Sequence, residues 1–308
     1  MTPTRRTNAA DASDAPCPCC QGSAILHIAT SDLNRRVSDR LFHLHRCTAC
    51  GLMFVADPPE HLEPYYDGDY HFVADCIEEM EPHLTTQRFK IDLVTRFLDR
   101  GSLLEIGPSS GFFCRLAQSA GFEVSAIELN ADCVSLLRDL LGVRAIHSAE
   151  PAAILAAEEQ CYDAICLWHS LEHIPAPWAV LERAVERLRP GGILVVAAPN
   201  PLSWQARFMG RRWPHYDLPR HLTQISIPWL TAFAGRLGLN TELITTRDEG
   251  SLRVGRVSWA MLRLPFAPHP RLESLPWRAG VALGRIMALW EDKEGRGGAY
   301  TAIFRKPT

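Results

Sequence analysis

The chain lacks an excess of positive charge, a long apolar run, a leader-like segment and an internal repeat, and each absence removes a class of protein. Lys and Arg number 32 against 35 Asp and Glu, for a net charge of −3. Nucleic-acid binders usually show a basic excess or stripe, so no nucleic-acid partner is expected. No uninterrupted apolar stretch is long enough to span a bilayer. Arg5 and Arg6 are not followed by an apolar segment and do not read as an export signal. The cytoplasm is therefore the expected address. The dinucleotide fingerprint GxGxxG is also missing. Its glycines would fall at 107, 109 and 112, where the chain has Gly107, Ser109 and Phe112. This disfavours a nicotinamide-dependent oxidoreductase.

What is present is ample apolar material. The 308 residues are 47% hydrophobic, enough for one large core and a small accessory module. The ten cysteines are unevenly placed, five of them (Cys17, Cys19, Cys20, Cys47, Cys50) within the first fifty residues. Without a secretory context, paired CxxC knuckles suggest metal before disulfides. Cys17-Pro-Cys-Cys20 and Cys47-Thr-Ala-Cys50 match a four-thiolate tetrahedral zinc site of Cys17, Cys20, Cys47 and Cys50. Four thiolates leave no open coordination position, so the expected zinc is structural. Cys19 is a spare thiol, and Cys17 and Cys20 are chosen on spacing. The competing reading is a redox or incidental cysteine cluster. The remaining five cysteines lie among apolar neighbours, where buried free thiols are common.

Four stretches follow one another. Residues 1–16 are polar and aperiodic and read as a disordered tail. Residues 17–55 form the zinc-ribbon-like module. Residues 56–83 hold PPEHLEPYYDGDYHF, a connector whose aromatics need cover. From 84 to 308 strands alternate with helices. A helical face runs from Leu84 to Leu98. Strands are expected at 103–106, 123–127, 143–146, 164–167, 193–198, 241–246 and 300–305. Helices are expected at 112–119, 131–140, 178–188 and 228–237. Strands spaced by helices imply parallel βαβ units. The expected fold is α/β, a Rossmann-like doubly wound sheet of seven strands, with an insertion at 251–298.

Chemistry concentrates at strand ends. Leu103-Leu-Glu-Ile-Gly-Pro-Ser-Ser-Gly111 is an apolar strand that ends in glycine, turns and opens a helix, so a ligand can approach backbone amides. Glu128 ends the second strand about twenty residues later, where an acid can accept hydrogen bonds from both hydroxyls of a ribose. The fourth strand should end at Leu167 or Trp168, followed by His169, Glu172 and His173. Ligands of open α/β sheets bind at such carboxyl ends. Trp213-Pro-His-Tyr-Asp-Leu-Pro-Arg-His221 follows the fifth strand and suits a shaped lid. Structural readings compete for each: an exposed strand-end acid, satisfied core histidines, a plain surface loop.

Together these segments resemble the class I S-adenosylmethionine (SAM)-dependent methyltransferases, from about Leu84 to Arg305. CPCC…CTACGLMF…YYDGDY resembles an N-terminal segment of bacterial members that act on sugars, lipids or secondary metabolites. The resemblance implies SAM as cofactor and a small-molecule substrate. By it, Glu105 and the turn from Gly107 to Gly111 hold the methionine end, Glu128 the ribose, and Ser148 and Ala149 the adenine, with Leu167 and Trp168 packing nearby. The sequence departs from the family at Ser109, often glycine, and at Ser148, often aspartate. A serine at 109 fits if the backbone there need not take positive φ. His169, His173 and His221 are the candidate bases, since imidazole titrates near neutral pH. The alternative is a non-catalytic scaffold whose zinc module docks a partner. Trp259, Phe266, Trp277 and Trp290, spread among arginines, fit a peripheral membrane contact through 258–290. Ordinary packing is the competing reading.

Overall fold

The computed structural model describes residues 15–66, 70–263, 274–291, 293 and 295–308. Most of the expected N-terminal tail lies outside them. Three strands, β1 (Ala24–Thr30), β2 (Phe42–Cys47) and β3 (Met53–Val55), form an antiparallel meander that carries the cysteine knuckles. A connector with a 3-10 turn at Glu63–Tyr65 leads to α1 (Ile77–Val94). This helix starts seven residues before the apolar face read from sequence and runs through Pro82. Pro82 lies on an exposed turn, where the carbonyl it leaves without an N–H can face water, while Met80 anchors the early turns in the core.

The alternation then runs β4 (Gly101–Ile106), α2 (Phe112–Ser119), β5 (Phe122–Glu128), α3 (Ala131–Ser135), β6 (Arg144–His147), α4 (Pro151–Ala157), β7 (Tyr162–Trp168), α5 (Pro177–Arg187) and β8 (Leu188–Pro199). A π turn, Leu136–Leu140, continues α3. Helix α4 is too short to show a period in the sequence. Strand β8 begins five residues before the expected Ile193, taking Pro190-Gly-Gly into an irregular extension, with a register shift against β7. There Gly191 and Gly192 exchange backbone hydrogen bonds with Lys306. After β8 come α6 (Trp204–Met209), β9 (Thr223–Gln224), α7 (Ile227–Arg236), β10 (Asn240–Thr245), α8 (Glu249–Arg263), α9 (Leu275–Glu291) and β11 (Ala299–Arg305).

The central sheet has the order β10-β11-β8-β7-β4-β5-β6. Strands β8, β7, β4, β5 and β6 pair in parallel, and β11 enters antiparallel between β8 and β10. The central strands are mostly apolar because helices cover both faces. The sheet is the doubly wound Rossmann-like one the sequence implied.

The insertion consists of α8 and α9 in its described part. Trp259, expected at an interface, is buried, its Nε1 donating to Glu291 at 2.6 Å. Trp277 is half-buried, Trp290 is exposed, and Phe266 lies outside the described residues. No described helix is long and apolar enough to cross a membrane.

The cysteine module is fused to the rest. Strand β9, from the segment after β8, pairs with β3 and makes its sheet four-stranded. Below it Arg220, fully buried, binds Asp32 of the module at 2.6 Å, Asp217 at 2.7 Å and the Tyr65 carbonyl at 3.3 Å. Asn34 adds a hydrogen bond to the Pro214 carbonyl at 2.7 Å. Removing one partner of a buried ion group leaves the others uncompensated. Arg220→Ala should therefore lower unfolding free energy by about 3–5 kcal/mol. Urea denaturation checks this, and a loss below about 1 kcal/mol would show that the network does not hold the parts together.

Candidate functional site

The site begins with the turn after β4. Gly107, Ser109 and Gly111 take φ of +73°, +51° and +70°. At Gly107 a Cβ would also stand 2.6 Å from the Ser170 Cβ, and at Gly111 2.9 Å from Leu137 and Leu141, so both need glycine twice over. Ser109 does take the left-handed conformation that its serine seemed to make unnecessary. Its backbone N–H donates to Glu128 Oε2 at 2.9 Å, and its Oγ lies 2.8 Å from His71 Nδ1. Those bonds hold a residue that has no glycine's freedom.

Glu128 closes the turn. Its second oxygen accepts from the Asn130 N–H at 2.8 Å. The carboxylate is thus fixed between the ends of β4 and β5, its remaining lone pairs unclaimed by these bonds. Glu105, on β4, is buried and accepts from the Cys114 thiol at 3.0 Å. Burial pushes its carboxyl up to about 7, against the pull of nearby Lys90.

Ser148 and Ala149 follow β6, with the Ser148 N–H on the Glu128 carbonyl at 2.9 Å. Leu167 and Trp168 end β7, three strand positions from β6, roughly 14 Å at the usual strand spacing. The structure therefore sets this pair apart from Ser148 and Ala149, on the other side of β4. Their side chains also diverge, as alternation along a strand requires: Leu167 packs in one core layer, Trp168 in the other against Phe113.

After β7 the chain turns sharply. His169 takes φ of +54°, uncommon for a residue with a Cβ. Ser170 Oγ donates to the Ile106 carbonyl at 2.6 Å and ties this turn to β4. His169, Glu172 and His173 then meet the segment after β8. The His173 and His221 rings pack edge to face at 4.6 Å. His169 Nδ1 stands 3.6 Å from Glu172 Oε1. The Tyr66 hydroxyl lies 2.9 Å from His173 Nδ1, and Tyr70 packs on Tyr66. Burial and then the neighbouring His221 push His173 down to about 4, so it is neutral at pH 7.

The expected lid is a packed wall. Trp213, Tyr216 and Leu218 are buried against Phe42, Leu44 and Val55 of the cysteine module. His215 faces α8, its Nε2 2.7 Å from Ser258 Oγ. Of this loop, His221 is the histidine that joins His173. Sequence reasoning missed Tyr66, Tyr70 and His71 as site residues. The signal was the aromatic connector that needed cover.

The sulfurs of Cys17, Cys20, Cys47 and Cys50 lie within 4.8 Å of one another, and Cys19 is not among them. Cys17–Cys50 is 3.7 Å and Cys20–Cys47 3.5 Å. A tetrahedral zinc with bonds of about 2.3 Å needs sulfurs about 3.8 Å apart. Burial pushes the Cys17 and Cys50 thiols up, while the backbone amides of Cys50 and Ala49 hold Cys47 down at about 7. The donor set fits a four-thiolate metal.

Residues 83–242, just over half of the chain, match the methyltransferase-domain family. The chain belongs to that family, and so to the SAM-dependent methyltransferases its motifs resemble. A ubiquinone biosynthesis O-methyltransferase from Xanthomonas oryzae pv. oryzae (strain PXO99A) is 29% identical over 140 residues, 42% of this chain and 58% of the relative. One of the same description from Xanthomonas axonopodis pv. citri (strain 306) is 27% identical over 124 residues, 38% and 52%. The chain thus spans little more than half the length of these relatives. Among solved structures, a SAM-dependent methyltransferase from Archaeoglobus fulgidus covers 75% of this chain and 98% of its own at 15% identity, with a TM-score of 0.49.

Proposed function

We propose that the protein transfers the methyl group of SAM to a small molecule, with a hydroxyl oxygen as the acceptor atom. The observation that carries this is the meeting of two constellations along adjacent strand ends. One is Glu105, the turn from Gly107 to Gly111, and Glu128. The other is His169, His173 and His221 beside them. In this reading Glu105 and the turn take the methionine end of SAM, Glu128 the ribose, and Ser148 and Ala149 the adenine. The relatives named for O-methyl transfer favour oxygen over nitrogen or carbon.

SAM supplies an activated methyl on a sulfonium, so the protein orients and excludes water. The acceptor oxygen's lone pair forms the O–C bond, the C–S bond breaks, and sulfur keeps its electrons as a neutral thioether. The acceptor proton goes to an imidazole. His173, held near 4, is a weak base at pH 7. The scaffold alternative has less support, because the cysteine module packs both into the main core and against the segment after β8.

Calorimetry tests the cofactor assignment. Glu128→Ala, if folded by circular dichroism, should weaken SAM binding by about 1.5–3 kcal/mol. Unchanged affinity would remove Glu128 from the site.

The pH dependence follows from Glu105. Its raised carboxyl is protonated in the free protein below about 7, and the cationic cofactor favours its ionised form. Binding at lower pH must expel that proton. From pH 7 to 5.5 the affinity should fall by up to about tenfold per unit, and Glu105→Gln should flatten the profile. A wild-type profile as flat as the variant's would place the cofactor's charge elsewhere.

In the same reading the ribbon holds a structural zinc. Elemental analysis should find about one zinc per chain for the four thiolates, lost when Cys47 and Cys50 are both changed to serine. Metal-free protein from a reducing, chelator-free preparation would overturn it.

A further inference from the structure

We propose that Glu172, His173 and His221 form a second metal site, for a first-row divalent transition-metal ion, at the edge of the methyl-transfer crevice. Each offers a ligand atom, and the three atoms lie within 4.8 Å of one another. They come from two segments, the turn after β7 and the loop before β9.

The carboxylate is the strongest argument. Glu172 is 1% exposed, and neither of its oxygens has a hydrogen-bond partner. His169 Nδ1, at 3.6 Å, stops short of a bond. A buried carboxylate without donors is costly and calls for a cation. Arg220 does not serve, because Asp32 and Asp217 already occupy its guanidinium.

The imidazoles are set to ligate. His221 Nδ1 lies 2.9 Å from the His215 carbonyl, and His173 Nδ1 3.2 Å from the Arg220 carbonyl. A carbonyl only accepts, so in each ring Nδ1 carries the proton and Nε2 keeps its lone pair. Metal-bound histidines are oriented in this way, by a carbonyl or carboxylate on the far nitrogen. The Tyr66 oxygen shares the His173 proton at 2.9 Å.

Two imidazoles and one carboxylate suit ions such as Zn²⁺, Mn²⁺, Fe²⁺ or Co²⁺, whereas Mg²⁺ and Ca²⁺ prefer oxygen throughout. Three protein ligands leave a position for the acceptor oxygen. This role rests on the proposed methyl transfer; the binding does not. An acceptor hydroxyl on the ion would lose its proton to His169, and the resulting alkoxide would attack the methyl carbon as the C–S bond breaks. The electrons pair throughout and no oxidant is needed.

The experiment titrates cobalt(II) into the full chain with its cysteine metal in place. Visible d–d bands without thiolate charge transfer report a nitrogen–oxygen site apart from the ribbon. Glu172→Gln and His221→Ala should each weaken that binding at least a hundredfold and leave the thiolate metal unchanged. Tyr66→Phe, which keeps all three ligands, serves as a third variant should those two misfold, and should weaken binding about tenfold. No cobalt beyond the ribbon's at millimolar concentration would overturn the site, as would equal affinity in all three variants. Such a result would leave Glu172 neutralised by an imidazolium. SAM calorimetry on the same samples separates the two proposals: cobalt binding without SAM binding sinks the methyl-transfer reading alone, and SAM binding without cobalt sinks the metal site alone.

Discussion

A single buried guanidinium holds the architecture to its chemistry. Arg220 receives Asp32 from the cysteine module, Asp217 from the loop after β8 and the Tyr65 carbonyl from the connector. These segments are distant in sequence, and they also share a buried apolar cluster of Phe42, Leu44, Val55, Tyr65, Trp213 and Tyr216. A charge cluster is an expensive way to join them, since its desolvation offsets most of its attraction. It does give direction, which apolar packing does not. The fork of Arg220 fits two carboxylates in one orientation, and the next residue, His221, is thereby placed against His173. The Arg220 carbonyl also faces His173 Nδ1. One residue thus orients the site through its side chain and its backbone.

The cysteine cluster extends this constraint. Cys47 ends β2, its N–H bonds the Leu52 carbonyl, and β3 follows at once. Strand β3 pairs with β9 through Met53–Gln224 and Phe54–Thr223. The Val55 N–H bonds the Leu222 carbonyl, one residue from His221. A metal that fixes the knuckles would therefore fix the strand on which the loop is hung. In this arrangement the ribbon would back the proposed site through β3 and β9.

Local signals were legible in the sequence, and non-local ones were not. The turn from Gly107 to Gly111 could be read because a strand, a turn and a helix leave their mark within ten residues. Glu128 could be read because its distance from that turn is set by one βα unit. The pairing of His173 with His221 spans 48 residues and depends on Arg220, whose partners no periodicity reveals. Ser109 shows a further limit. Its residue type argued for an ordinary backbone, yet Glu128 and His71 hold it at positive φ. Tertiary hydrogen bonds had overridden a local preference. The seven strands were found, but Pro190-Gly-Gly hid the start of β8, because the bonds to Lys306 that extend the strand come from the far end of the chain.

The charge of the crevice explains why this Rossmann-like sheet suits one class of cofactor and not another. Dinucleotides carry a pyrophosphate, which sheets of this type hold on helix amides with little negative charge nearby. Here Glu105 on β4, Glu128 at the end of β5 and Glu172 just after β7 set three buried acids along three neighbouring strands. One amide of the turn, that of Ser109, is already bonded to Glu128. A phosphate placed there would meet like charge and a donor already engaged. A sulfonium with an ammonium on its amino-acid arm would meet the opposite. Glu105, whose ionisation burial makes costly in the free protein, is the acid that such a cation would relieve.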